Sequence, residues 1–138
     1  MNSLNRFLEP QEYMYAIALE EIRNGEKESH WMWYIFPQLR GLGRSPMAYT
    51  YGLDGIEEAK AYLAHPVLSA RLIEISRVLL DHKGEDIEDI MGDIDAMKLR
   101  SSMTLFALLS EDDSVFHQVL ACFYDRKMDE KTIKSMRK

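Results

Sequence analysis

Three stretches carry residue types that could do chemistry. The first is Gly41-Leu42-Gly43-Arg44-Ser45, followed by Pro46. Free N–H groups at a helix start, with the positive end of the helix dipole, favour an anion. Two glycines let backbone approach a ligand closely, and Arg44 and Arg40 could pair with phosphate or carboxylate. Gln38 stands beside them in sequence and joins the ligand-binding candidates. The spacing is neither a dinucleotide fingerprint nor a P-loop, and no strand precedes it. An ordinary interhelical loop with a solvated arginine is the competing reading.

The second stretch is Ser29-His30-Trp31-Met32-Trp33-Tyr34. A histidine among aromatics could transfer a proton or orient a ligand. The two indoles could stack on a base or a sugar. Aromatics at this spacing also build interiors, so core packing is the alternative for Trp31 and Trp33. The third stretch runs from Asp95 through Lys98 to Ser101, Ser102 and Phe106. On a helix, Met97, Ser101 and Thr104 share one face and Lys98, Ser102 and Leu105 an adjacent one, with Asp95 one turn before Lys98. Hydroxyls in a buried helix need partners. They either bond the carbonyl one turn back or face a polar pocket with Lys98.

Other chemistries are not supported. The four histidines are far apart and lack metal-ligand spacing, so no metal site is expected. Cys122 is the single cysteine, in apolar sequence, and is not expected to be a nucleophile. No serine has nucleophile-elbow surroundings, and no cofactor motif is present. The chain carries 17 basic and 23 acidic residues, a net charge of −6. Such a domain has no extended nucleic-acid surface, because neutralising phosphates needs a basic face. Charge is unevenly spread. Ser29 to Leu53 spans 25 residues and holds Arg40 and Arg44 but no acid, where simple proportion gives about four. A basic segment follows Asp125. No run of apolar residues is long enough for a membrane span, no secretory signal is visible, and a reducing cytoplasm is the expected location.

The elements that must position these residues read as helices. At 138 residues and 46% hydrophobic content, the chain suits one packed domain over 1–138. Helix breakers recur every 10 to 20 residues. Pro10 is expected to open a first helix that ends before Gly25, and Ser29 to cap a segment over 30–36, which its apolar run leaves as helix or strand and its helical neighbours favour as helix. Ser45 and Pro46 should start a third and Asp54 a fourth, which His65-Pro66 breaks. Leu68, Leu72, Ile75 and Leu79 mark the clearest amphipathic helix, closed by Gly84. A short acidic turn or helix, Asp86 to Met91, ends at Gly92. Asp93 or Asp95 is expected to cap a long central helix through Leu109. Val115 to Phe123 forms a penultimate helix, and a short basic helix or tail occupies 129–138. No alternating β-type run appears. The fold expected is all-α: a compact single-domain bundle of about six to eight helices, several short.

The run from Ser29 to Ser45, with Asp95–Lys98, Ser101 to Phe106, Tyr51-Gly52, Glu58-Ala59, Tyr62-Leu63 and His65-Pro66, resembles the bacterial Domain-of-Unknown-Function 1810 family over roughly Asn5 to Thr132. Its members are often labelled "calpastatin", a name belonging to a disordered, repetitive inhibitor unlike this apolar, non-repetitive chain. The resemblance implies a compact all-α domain and carries no catalytic residue with it. The sequence departs from the family pattern at Tyr124-Asp125-Arg126-Lys127, where a glycine is expected, and at Ser69. A fainter similarity is to the NADAR family of ADP-ribose-linked hydrolases, with Ser29 standing where an acid precedes the histidine there.

The expected function is binding of an anionic nucleotide or ADP-ribose-like small molecule. The ligand set is Trp31, Trp33, Gln38, Arg40, Gly41, Gly43, Arg44, Ser45, Ser101 and Ser102, with His30 and Lys98 as catalytic candidates for a hydrolysis. The alternative is a non-catalytic protein–protein interaction module. A concave pocket lined by these residues favours the first, and a flat exposed patch favours the second.

Overall fold

The computed structural model describes residues 4–137. Helix α1 (Asn5–Arg23) begins five residues before Pro10. Pro10 therefore lies inside the helix rather than opening it. Tertiary anchors outweigh the lost backbone bond: Phe7 is fully buried, edge-on to Tyr62, and Arg6 grips Glu58 at 2.6 Å and the Gly52 carbonyl at 2.9 Å. Gly25, at φ +77°, takes the chain off the helix end.

Helix α2 (Met32–Ile35) is a single turn, shorter than the expected 30–36. Ser29 does not cap it, because both its N–H and its hydroxyl donate to Glu21. Helix α3 (Pro46–Tyr51) starts as its sequence implies: the Ser45 hydroxyl accepts from the Ala48 N–H at 3.1 Å, with Pro46 in the first turn. Helix α4 (Gly55–Ala64) follows Asp54, whose side chain makes no capping bond; instead Glu58 accepts from the Asp54 N–H. Helix α5 (Pro66–Leu79) is capped by His65, whose Nδ1 accepts from the Val67 and Leu68 N–H groups. It runs on through a 3-10 turn, Leu80–His82, before Gly84.

Helix α6 (Ile87–Met91) is capped by Asp86. Helix α7 (Asp93–Leu108) has Gly92 at its N-cap, not Asp93 or Asp95. Gly92 at φ +83° supplies a turn that an aspartate could enter only with strain. The apolar run over 103–109 is expected to be central. Residues 101–107 are all buried, three of them hydroxyl-bearing, but Leu108 at the helix end is 44% exposed. Helix α8 (Val115–Phe123) and helix α9 (Glu130–Met136) are capped by Ser114 and Asp129. Among the described residues there are nine α-helices and no strand, and one β-bridge pairs Leu39 with Leu53. Helix α7 packs on α4, α6, α8 and α9, while α5 packs on α1, α4 and α8. This is the all-α architecture expected.

The departure at Tyr124–Lys127 has a structural form. The Lys127 N–H donates to the Tyr124 carbonyl at 2.9 Å, and both central residues, Asp125 (φ 54°) and Arg126 (φ 64°), have positive φ. This is the φ pattern of a type I′ turn, whose second central position glycine fills without strain. Arg126→Gly should raise stability by about 1 kcal/mol, the cost of holding a side-chain-bearing residue there. Urea unfolding at constant m-value checks it.

Candidate functional site

The two tryptophans occupy different worlds. Trp31 is fully buried, with its indole N–H donated to Glu21 at 2.9 Å. Glu21 also accepts from the Ser29 hydroxyl at 2.6 Å and from the Glu28 and Ser29 N–H groups. Burial alone would push its carboxyl up; these hydrogen bonds outweigh it and hold the carboxyl at about 2. The stretch without acids in sequence is thus supplied with one from α1. Trp31 is a core residue that pins the 28–31 loop to α1, not a stacking platform.

Trp33 is half-buried at a cleft edge. Its indole N–H is buried and has no hydrogen-bond partner among the described residues. Lys98, from α7, holds its ammonium 5.1 Å from the Trp33 ring centre. Its ammonium approaches an Asp95 carboxylate oxygen only to 3.9 Å. Asp95 is engaged more closely by Lys27 at 2.8 Å, and Lys27 lies 4.7 Å from the Trp31 ring and bonds the Ser29 carbonyl. A chain of alternating charge therefore runs Lys27–Asp95–Lys98 between the two indoles.

Two clefts flank this chain. One, of about 460 Å³, is lined by Lys27, His30, Trp33, Asp93, Ile94 and Asp95 among others. The other, of about 320 Å³, has Gln38, Gly43, Met97, Lys98, Arg100, Ser101 and Lys131 in its wall, with Asp129 as its one carboxylate. A narrow third pocket shares Trp33, Gln38 and Lys98 with them. The structure thus gathers His30, Trp33, Gln38, Gly43, Lys98 and Ser101 around the first two turns of α7.

It places the remaining candidates elsewhere. Arg40 donates to the Tyr49 carbonyl at 2.9 Å, stacks on the Tyr49 ring and lies 3.8 Å from Asp54. Arg44 is exposed and outside the lining of both clefts. Ser45 is occupied as a cap. Gly41 serves a turn at φ +102°. Gly43 makes room for α3, since a Cβ there would stand 2.6 Å from that of Ala48. Ser101 lines the second cleft and bonds the Met97 carbonyl one turn back, so both readings of its hydroxyl hold. Ser102 is fully buried with no partner for its hydroxyl among the described residues, and lines neither cleft.

Sequence reasoning missed Glu21, Lys27 and Lys131. Glu21 had a signal: it adjoins Ile22 on the apolar side of α1. Lys27 and Lys131 had none, since exposed-looking lysines near loops are common. Among the described residues no group of three or more His, Cys, Asp or Glu side chains is placed to hold a metal, and no helix is long and apolar enough to cross a membrane.

Fold and cleft together define a small all-helical domain with a tryptophan-edged groove of mixed charge across one central helix. The family described as "Protein of unknown function (DUF1810)" matches residues 1–136, and the chain belongs to it. It is also similar to a solved structure, the crystal structure of the conserved hypothetical protein Rv1873 from Mycobacterium tuberculosis. The two share 44% identity over 98% of this chain and 96% of that one, with a TM-score of 0.94. No curated protein matches the chain significantly.

Proposed function

We propose that the chain binds a small anionic ligand of nucleotide or ADP-ribose type in the cleft beside Lys98. One observation carries this reading. The Lys98 side chain is three-quarters buried, at 25% exposure, yet its ammonium has no hydrogen bond among the described residues and only a long approach to Asp95. Buried charged groups are ordinarily paired and bonded. A phosphate or carboxylate between Lys98 and Lys131, with the Ser101 hydroxyl and Gln38 amide beside it, completes that bonding. The planar part of the ligand then meets Trp33, whose indole N–H has capacity to spare. In a hydrolysis, His30 in the neighbouring cleft is the proton-transfer candidate and Lys98 stabilises developing negative charge.

The test is a thermal-melting titration of the protein with ADP-ribose, AMP and inorganic phosphate. A ligand at 100 times its Kd adds about 2.7 kcal/mol to stability, several degrees for a domain of this size. Lys98→Met should weaken the affinity about ten- to a hundredfold, the scale of a charged hydrogen bond. Docking of another protein is a second reading with one observation in its favour. Ile94 and Met97, on α7 beside the clefts, are 70% and 72% exposed. A shift lost in Lys98→Met supports the small-ligand reading. No shift with any of the three compounds overturns it.

A further inference from the structure

A separate cleft of about 380 Å³ lies beside α8, sharing no residue with the clefts around Lys98. Its lining includes Leu120, Ala121 and Met128, with Asp112, His117 and Arg126 as the ionisable groups. We propose that it binds a small organic carboxylate, whose anionic end is held by Arg126 and His117 and whose apolar body rests on Leu120 and Met128.

Arg126 is the first support. It occupies the turn position that glycine fills without strain. No hydrogen bond or ion pair of its guanidinium with the described residues offsets that strain. Strain of this kind persists mostly where it serves a site, and here it sets an uncommitted guanidinium on the edge of a cleft. His117 is the second. Its Nδ1 lies 2.8 Å from the Ser114 hydroxyl oxygen, which fixes the ring and leaves Nε2 as the nitrogen without a protein partner. An anion beside Nε2 favours the form with the proton there, the Ser114 hydroxyl then donating to Nδ1.

The lining also selects among anions. One guanidinium and one imidazole face one carboxylate, Asp112, which disfavours a dianion such as phosphate. The forked guanidinium matches a carboxylate with two parallel bonds. The apolar floor adds affinity for a hydrocarbon body and none for a bare ion.

The experiment is an NMR titration of the isotope-labelled full chain with butyrate. Butyramide, its neutral isostere, and inorganic phosphate are titrated in parallel. Butyrate is expected to move the His117 ring and Arg126 Nε signals saturably, with butyramide and phosphate leaving them in place. Arg126→Gly should weaken butyrate binding about tenfold or more while the melting temperature rises, so loss of binding is not loss of fold. Arg126→Lys, which keeps the charge but not the fork, should bind with intermediate affinity. Unmoved signals, equal binding of butyramide, preference for phosphate, or wild-type affinity in Arg126→Gly each overturns the proposal.

Discussion

Replacing Glu21 by alanine should cost about 4 kcal/mol of folding stability, a large share of what a domain of this size possesses. The carboxylate accepts from the Glu28 N–H, the Ser29 N–H and hydroxyl, and the Trp31 indole N–H. Alanine strands the indole N–H in the core, where an unmade buried donor costs about 1–3 kcal/mol, and releases three part-buried donors of the 28–29 loop at a smaller cost each. Glu21→Gln keeps one acceptor oxygen and should cost about half as much. The same contacts set an acid dependence. The folded carboxyl titrates at about 2, below its ordinary 4.5. The stabilisation is therefore fully present above pH 4.5 and is lost as pH falls through that window towards 2. A depression of this size corresponds to about 3 kcal/mol. Urea unfolding from neutral to acid pH should show wild type and Glu21→Gln converging as pH falls. A constant gap would mean that Glu21 is not the group responsible.

Gly52→Ala should cost about 3 kcal/mol, the upper range of ordinary overpacking, although its backbone suits any residue. At φ −63° alanine meets no conformational penalty. The penalty is space. A Cβ would stand 2.6 Å from the Arg40 Cα, 2.7 Å from the Arg40 Cβ and 2.8 Å from the Ala48 carbonyl oxygen. None of these is the free end of a flexible side chain. Relief must separate the 38–40 segment from Leu53, breaking the Arg40 N–H to Leu53 carbonyl bond at 2.8 Å and the Leu53 N–H to Gln38 carbonyl bond at 2.9 Å. Gln38 and Gly43, on the wall of the Lys98 cleft, then lose their support, so ligand affinity should fall with stability. Gly55→Ala is the control. Gly55 has positive φ (87°) but nothing near its would-be Cβ, so backbone strain alone applies, at about 1 kcal/mol. Chemical denaturation of both variants separates crowding from strain. Equal costs would contradict the assignment.

Much of the fold was legible because its determinants are local. Ser45-Pro46 and Asp129 start the helices their sequence implies, since a cap needs only a side chain and N–H groups two or three residues on. Two of the failures share a cause. Pro10 inside α1 and Ser29 diverted from α2 are both decided by partners distant in sequence: Glu58 and Gly52 for α1, Glu21 for Ser29. The candidate site divides the same way. Trp33, Gln38, Lys98 and Ser101 are brought together around the start of α7, and each stands in a stretch that its residue types single out in sequence. Arg40 and Trp31 look free in sequence because their own stretch holds no acids, but folding brings Asp54 and Glu21 to them. Absence of charge in sequence says little about charge in space. At Tyr124–Lys127 the missing glycine is visible in sequence, while its consequence, two residues at positive φ, emerges only in three dimensions.

The two indole N–H signals give the most direct test of the proposed ligand site. Trp31 is sealed in the core with its N–H on Glu21, and Trp33 edges the clefts beside Lys98. In a ¹⁵N-resolved titration with ADP-ribose, the Trp33 indole signal should move saturably while the Trp31 signal stays in place. Lys98→Met should shift the midpoint of that movement to about ten- to a hundredfold higher ligand without altering the free spectrum elsewhere. A Trp33 signal that does not move, or one that moves equally in Lys98→Met, would contradict a binding site beside Lys98.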